Sequence, residues 1–147
     1  MRDRALGATL FGTAAATLWL ASWLFFDGEL LGFGAASSIP AALAVGALAA
    51  PRLASDAIRT GELSRGCGAG VLVTLATYLL SAVLIALYMS LPLNNPTLSS
   101  LVGNVGFVFA FSAMTGLLFL LPALALGAVA GWMFYAQKVQ APIDRAA

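Results

Sequence analysis

The chain has 147 residues, 61% of them hydrophobic and only 9% charged, with a formal net charge of +1 and no histidine. An average soluble domain is about 25% charged and has to wet its surface, so this composition excludes an ordinary water-soluble fold and points to lipid as the solvent. Near-neutral charge argues against a nucleic-acid partner held by phosphate attraction, and a single cysteine, Cys67, without histidine leaves no intramolecular disulfide and no Cys/His metal cluster.

The chain opens Met1-Arg2-Asp3-Arg4 and then runs apolar over residues 5–26. A cleavable leader has an apolar core of about 7–15 residues. This run is longer and continues past Ala14-Ala15-Ala16, so it is expected to be an uncleaved first span. Ala8, Gly12 and Ala16 give it a small-residue face, and Thr9, Thr13 and Thr17 a hydroxyl face. Asp27-Gly28-Glu29 follows, a solvated turn short enough to force an antiparallel hairpin.

The second span is expected over residues 30–50. Ser38, Ala42, Gly46 and Ala50 recur every four residues, a seam of small side chains along which a second helix can approach closely. Pro40 removes one helical hydrogen bond and is expected to bend the span; Ser37 and Ser38 stand where hydroxyls can meet the freed backbone groups. Residues 51–65 carry Arg52, Arg59 and Arg65 and read as a solvated link. Within it Leu53, Ala57 and Ile58 offer one apolar face to a short helical stretch ending near Gly61.

From residue 66 to 137 there are 72 consecutive residues without a charge, room for two spans and the turn between them. The third span, residues 66–91, has Gly70, Thr74, Thr77 and Ser81 on one face with Tyr78 adjacent. Cys67 at its start reads as a small apolar filler. An outer loop follows over residues 92–103, where Asn95-Pro96 has the pattern of an N-cap and first helical position. The fourth apolar segment, residues 104–135, is too long to stand straight in a hydrocarbon layer of about 30 Å. Gly103 and Gly106 mark a natural break, which would leave residues 96–102 as a short outer segment that either lies on the membrane surface, the favoured reading, or dips inward as a re-entrant turn. Further on, Pro122 is expected to bend the helix, and Ala123, Gly127 and Gly131 form another small-residue seam. Residues 40–49 resemble 122–130 after one deletion, but an Ala/Leu/Gly alphabet produces such echoes readily.

These segments predict one all-α domain, an integral membrane four-helix bundle made of two antiparallel hairpins. Arg2, Arg4, Arg52, Arg59, Arg65, Lys138 and Arg145 all fall on one side of it. The positive-inside rule makes that side, with both termini, cytoplasmic, in the inner or plasma membrane of the cell. Use of Arg over Lys, with abundant Ala and Gly, fits a prokaryote with a GC-rich genome. Trp19, Trp23 and Tyr88 are expected near the outer interface, and Trp132 and Tyr135 near the inner one.

The spans contain no ionisable acid or base, whereas proton-coupled transport and hydrolysis both need one. The expectation is therefore no enzyme and no cofactor. Hydroxyls and proline-released carbonyls single out one candidate intramembrane polar site: Ser37, Ser38, Pro40, Thr74, Thr77, Tyr78, Ser81, Ser112, Thr115 and Pro122. Gly12, Ala42, Gly46, Gly127 and Gly131 are the expected helix-packing residues. The sequence reads best as a structural or accessory subunit or small homo-oligomer whose partners are the lipid bilayer and membrane proteins, itself included. The competing reading is a small oligomeric channel or facilitator for an uncharged or weakly hydrated solute.

Overall fold

The computed structural model describes residues 1–25, 29–90 and 97–140, and at 24–25, 29–35, 89–90, 101 and 108–119 it describes the backbone alone. Four helices account for nearly all of these: α1 (Arg2–Phe25), α2 (Glu29–Thr60), α3 (Leu63–Ser90) and α4 (Leu98–Gln140). Each of the four is long and apolar enough to cross a membrane. Lipid offers no hydrogen-bond partner, so a spanning segment satisfies its backbone only by closing the bonds within itself, as a helix does. The expected turn at Asp27-Gly28 and the expected cap at Asn95-Pro96 lie outside the described residues.

Two helices run further than the charge pattern predicts. α2 passes through both Pro40 and Pro51 and ends only at Thr60, so most of the expected link is helix. The reason is burial. Ala50, Ala54 and Ala57 are between 0 and 4% exposed and pack with Phe134 and Tyr135 of α4. That contact holds the helix together across Pro51. The expected apolar face is thereby rotated: Ala57 is buried and Leu53 packs against the cluster, but Ile58 is 68% exposed. The helix stops at Gly61, whose φ of 66° is left-handed and whose N–H donates to the Ala57 carbonyl at 2.9 Å.

α4 is likewise unbroken across Gly103 and Gly106. Glycine costs a helix only about 1 kcal/mol relative to alanine, less than leaving backbone groups unpaired in an apolar setting. Its 43 residues extend about 65 Å, twice the hydrocarbon thickness. The described cap is Thr97, whose hydroxyl accepts from the Ser100 N–H at 3.2 Å while Ser100 Oγ donates back to the Thr97 carbonyl at 2.8 Å.

Residue contacts fix how the helices run. Gly7 faces Gly46 and Trp19 meets Ser38, so α1 lies antiparallel to α2. Gly66 faces Gly131 and Gly70 faces Gly127, so α3 lies antiparallel to α4. Ser37 meets Ser81 between α2 and α3, and Asp3 meets Lys138 between α1 and α4. The two buried clusters both occupy the charge-bearing half: one around Phe134 and Tyr135, the other around Phe11, Val73 and Ala130. α3 turns Leu72, Leu79, Leu87 and Tyr88 outward, 43 to 68% exposed.

Candidate functional site

The tightest element of the structure is a pair of glycine contacts. A Cβ built on Gly70 would overlap the Gly127 carbonyl oxygen and lie 2.7 Å from its carbon. One on Gly131 would meet the Gly66 carbonyl oxygen and stand 2.7 Å from Gly70 Cα. Between α1 and α2, a Cβ on Gly7 would come within 2.5 Å of the Gly46 carbonyl oxygen and 2.7 Å of Ala50 Cβ. These are backbone-to-backbone approaches, and only a missing side chain allows them. Of the expected packing residues, Gly46, Gly127 and Gly131 sit in these contacts, and Ala42 is 2% exposed. Gly12 packs differently, against the flexible end of Leu43. Gly7 and Gly66 are additions: Gly7 belongs to no four-residue repeat of small residues, whereas Gly66 forms a GxxxG with Gly70 that the sequence does carry.

The expected polar residues divide into three groups. Ser37 and Ser81 are brought together, both under 10% exposed, with their hydroxyls 2.9 Å apart. Ser38 turns the other way and accepts from the Trp19 indole N–H. One turn along α3, Thr77 is buried and returns its hydroxyl to the Val73 carbonyl at 2.8 Å, and Thr74 does the same to Gly70 at 3.0 Å while lying against Gly127. Pro40 and Pro122 are exposed and Tyr78 is half-buried. Ser112 and Thr115 lie on α4, and their side chains are outside the described residues. The hydroxyl face of α1 points outward, Thr9, Thr13 and Thr17 all being exposed, and Thr13 bonds its own helix at Thr9. The polar node is thus two hydrogen-bonded pairs on different sides of α2, Trp19–Ser38 toward α1 and Ser37–Ser81 toward α3, with Thr77 one turn along α3. Trp19 belongs to it through its indole N–H, a signal that an aromatic residue in an apolar run gives only once its partner is known.

Measured along the helices, this node stands about 23 Å from Arg52 and Arg65. It contains neutral donors and acceptors, so its chemistry is hydrogen bonding. Each such bond between helices in an apolar medium contributes on average about 0.6 kcal/mol, enough to fix register.

A second polar assembly closes the opposite end. Lys138 Nζ donates to Asp3 and lies 5.9 Å from the Phe134 ring centroid. The Tyr135 hydroxyl donates to Asp56 Oδ2 at 2.8 Å, and Arg59 donates to Asp56 Oδ1 at 3.0 Å. Those two bonds hold the Asp56 carboxyl below its ordinary pKa, the tyrosine bond first; Lys138 acts likewise on Asp3. Arg65 pairs with Glu62 at 2.6 Å. Tyr135 is therefore not an interfacial belt residue: it is 1% exposed and points inward, whereas Trp132 is 45% exposed. Helical spacing separates them, since Gly131, Phe134, Tyr135 and Lys138 share the inward face of α4.

Comparison with models of protein families, with curated proteins and with solved structures gives no match to this chain.

Proposed function

We propose that the protein is a non-enzymatic, multi-pass component of the cell membrane, a structural or accessory subunit or small homo-oligomer, folded as a four-helix bundle of two hairpins with both termini cytoplasmic. The observation that carries this reading is the glycine-on-glycine contact within each helix pair, Gly7 on Gly46 and Gly70 on Gly127. Helices that touch at the backbone leave no lumen between them, and that favours a packed scaffold over a transport path. Two further observations support it. The Ser37–Ser81 and Ser38–Trp19 bonds join helices and draw on neutral groups alone. The outward leucines of α3 supply the apolar surface that lipid or a second membrane protein requires.

The test is reconstitution of the purified chain into liposomes, beside affinity purification of the tagged chain from its native membrane. A scaffold gives water, glycerol and urea permeability equal to protein-free liposomes and copurifies with itself or a fixed partner in constant ratio. Saturable solute flux from this chain alone would overturn the reading in favour of a facilitator.

A further inference from the structure

The surface between α2 and α3 carries a groove of about 410 Å³ lined by Val45, Leu48, Ala49, Leu53, Leu72 and Val73 with one charged residue, Arg52. Leu48 and Leu72 are 74% and 68% exposed, so the groove opens outward rather than into the bundle. Its long axis follows α2 from Val45 to Leu53, about 12 Å. Arg52 and Leu53 stand at the end nearest the arginine-rich turn.

Arg52 is one of three described cations, with Arg2 and Arg4, that make no ion pair among the described residues, and of these it is the one that lines the groove. Arg59, Arg65 and Lys138 are each paired with a carboxylate, at Asp56, Glu62 and Asp3. The carboxylate one helical turn beyond Arg52 is Asp56, already committed to Tyr135 and Arg59. Among the described residues Arg52 has no ion-pair partner. An exposed guanidinium at the rim of an apolar groove suits a ligand with an anionic head and a hydrocarbon body. Arginine's planar fork also matches two phosphate oxygens at once.

We propose that this groove binds one anionic phospholipid, its phosphate on Arg52 and part of an acyl chain along Val45, Leu48, Leu72 and Val73. The proposal rests on the membrane-spanning reading, because it needs Arg52 at headgroup depth and the groove facing hydrocarbon. Basic pockets between helices on the cytoplasmic side are suited to such headgroups.

The experiment uses the full-length chain, extracted from membranes and titrated in detergent with phosphatidylglycerol or with phosphatidylcholine of the same acyl chains, bound lipid being counted by native mass spectrometry. The wild type should bind one phosphatidylglycerol about fivefold more tightly than phosphatidylcholine, the contribution of one basic side chain near an anionic group. Arg52→Gln should erase that preference and Arg52→Lys should keep most of it. Arg4→Gln, which removes the same charge from α1, should leave it intact. Ala76→Phe, which places a ring in the groove, should weaken both lipids together. Equal preference in wild type and Arg52→Gln, or equal loss in Arg4→Gln, would overturn the site. So would a dimer whose cross-links map to Leu48 and Leu72, since a second copy would then cover the groove. A chain recovered in the aqueous fraction before any detergent is added refutes the membrane reading itself.

Discussion

At the scale of single residues, the glycines separate into those the packing requires and those it does not. A methyl group on Gly70 has nowhere to go, because what it meets is the Gly127 backbone rather than a side chain that can swing away. Gly70→Ala is expected to lower stability by roughly 1–3 kcal/mol, the range for overpacked sites. Gly68→Ala, one position-pair earlier on α3 with nothing within 4 Å, should instead gain up to about 1 kcal/mol of helix propensity. Gly12→Ala should fall between, since Leu43 can rotate. Unfolding of the three variants in mixed micelles on titration with a denaturing detergent measures the order; equal midpoints would mean that α3 and α4 do not touch at the backbone. Asp56 adds a dependence on pH. Its pKa is depressed by Tyr135 and Arg59, so the stability it contributes is complete above the ordinary aspartate value of about 3.9 and disappears as pH falls through the lower native value. Acidification from about pH 5 to pH 3 should therefore lower the thermal midpoint of the wild type more than that of Asp56→Asn or Tyr135→Phe. Parallel curves for all three would show that the Tyr135–Asp56 bond contributes nothing.

At the scale of elements, the existence of four helices long and apolar enough to cross a membrane is legible in the sequence because charge is so rare that its gaps mark the helices. Their ends are less legible. Nothing in the string Pro51-Arg52-Leu53-Ala54 announces that Ala54 and Ala57 will be covered by Phe134, a contact across 80 and 77 residues of chain. The inward face of α4 is hidden for a different reason: a helix apolar all round has no periodic signal to say which side faces a neighbour. So Tyr135 reads as a belt aromatic until its partner on α2 is seen. The polar node is half legible. The hydroxyls of Ser37 and Ser81 can be picked out as polar in an apolar run, but not which of them meet, because that depends on the register the glycine contacts impose. Gly103 and Gly106 mislead because a glycine breaks a helix only where water can take over its backbone bonds. If α4 is continuous, spin labels at Leu98 and Leu121, both exposed, should be separated by about 35 Å, 23 residues at 1.5 Å each. A substantially shorter distance would restore the break. At the other junction, Gly61→Ala forces a side chain into the left-handed region, and a cost of about 1–2 kcal/mol is expected in the same unfolding assay.

At the scale of the whole molecule, the two polar assemblies give the four helices different ends. Among the described residues one carries six basic and three acidic residues, the other only Glu29. The Lys138–Asp3 pair ties the last turn of α4 to the first turn of α1, so the start of α1 and the end of α4 lie together. A cation in the last turn of α4 and an anion in the first turn of α1 also suit the two helix dipoles, which makes the closure favourable at both partners. The proposed direction of insertion follows from charge: by the positive-inside rule the end richer in arginine and lysine would stay in the cytoplasm. Single cysteines placed by Glu29→Cys and Gln140→Cys in a Cys67→Ala background test this. A membrane-impermeant maleimide added to intact cells should label position 29 and reach position 140 only after the membrane is opened. Labelling of both positions from outside would contradict the pairing of termini with cations. Labelling of 140 alone would mean that the bundle is inverted, and Arg52 would then stand on the outer face, where the anionic lipid of its groove would have to come from the other leaflet.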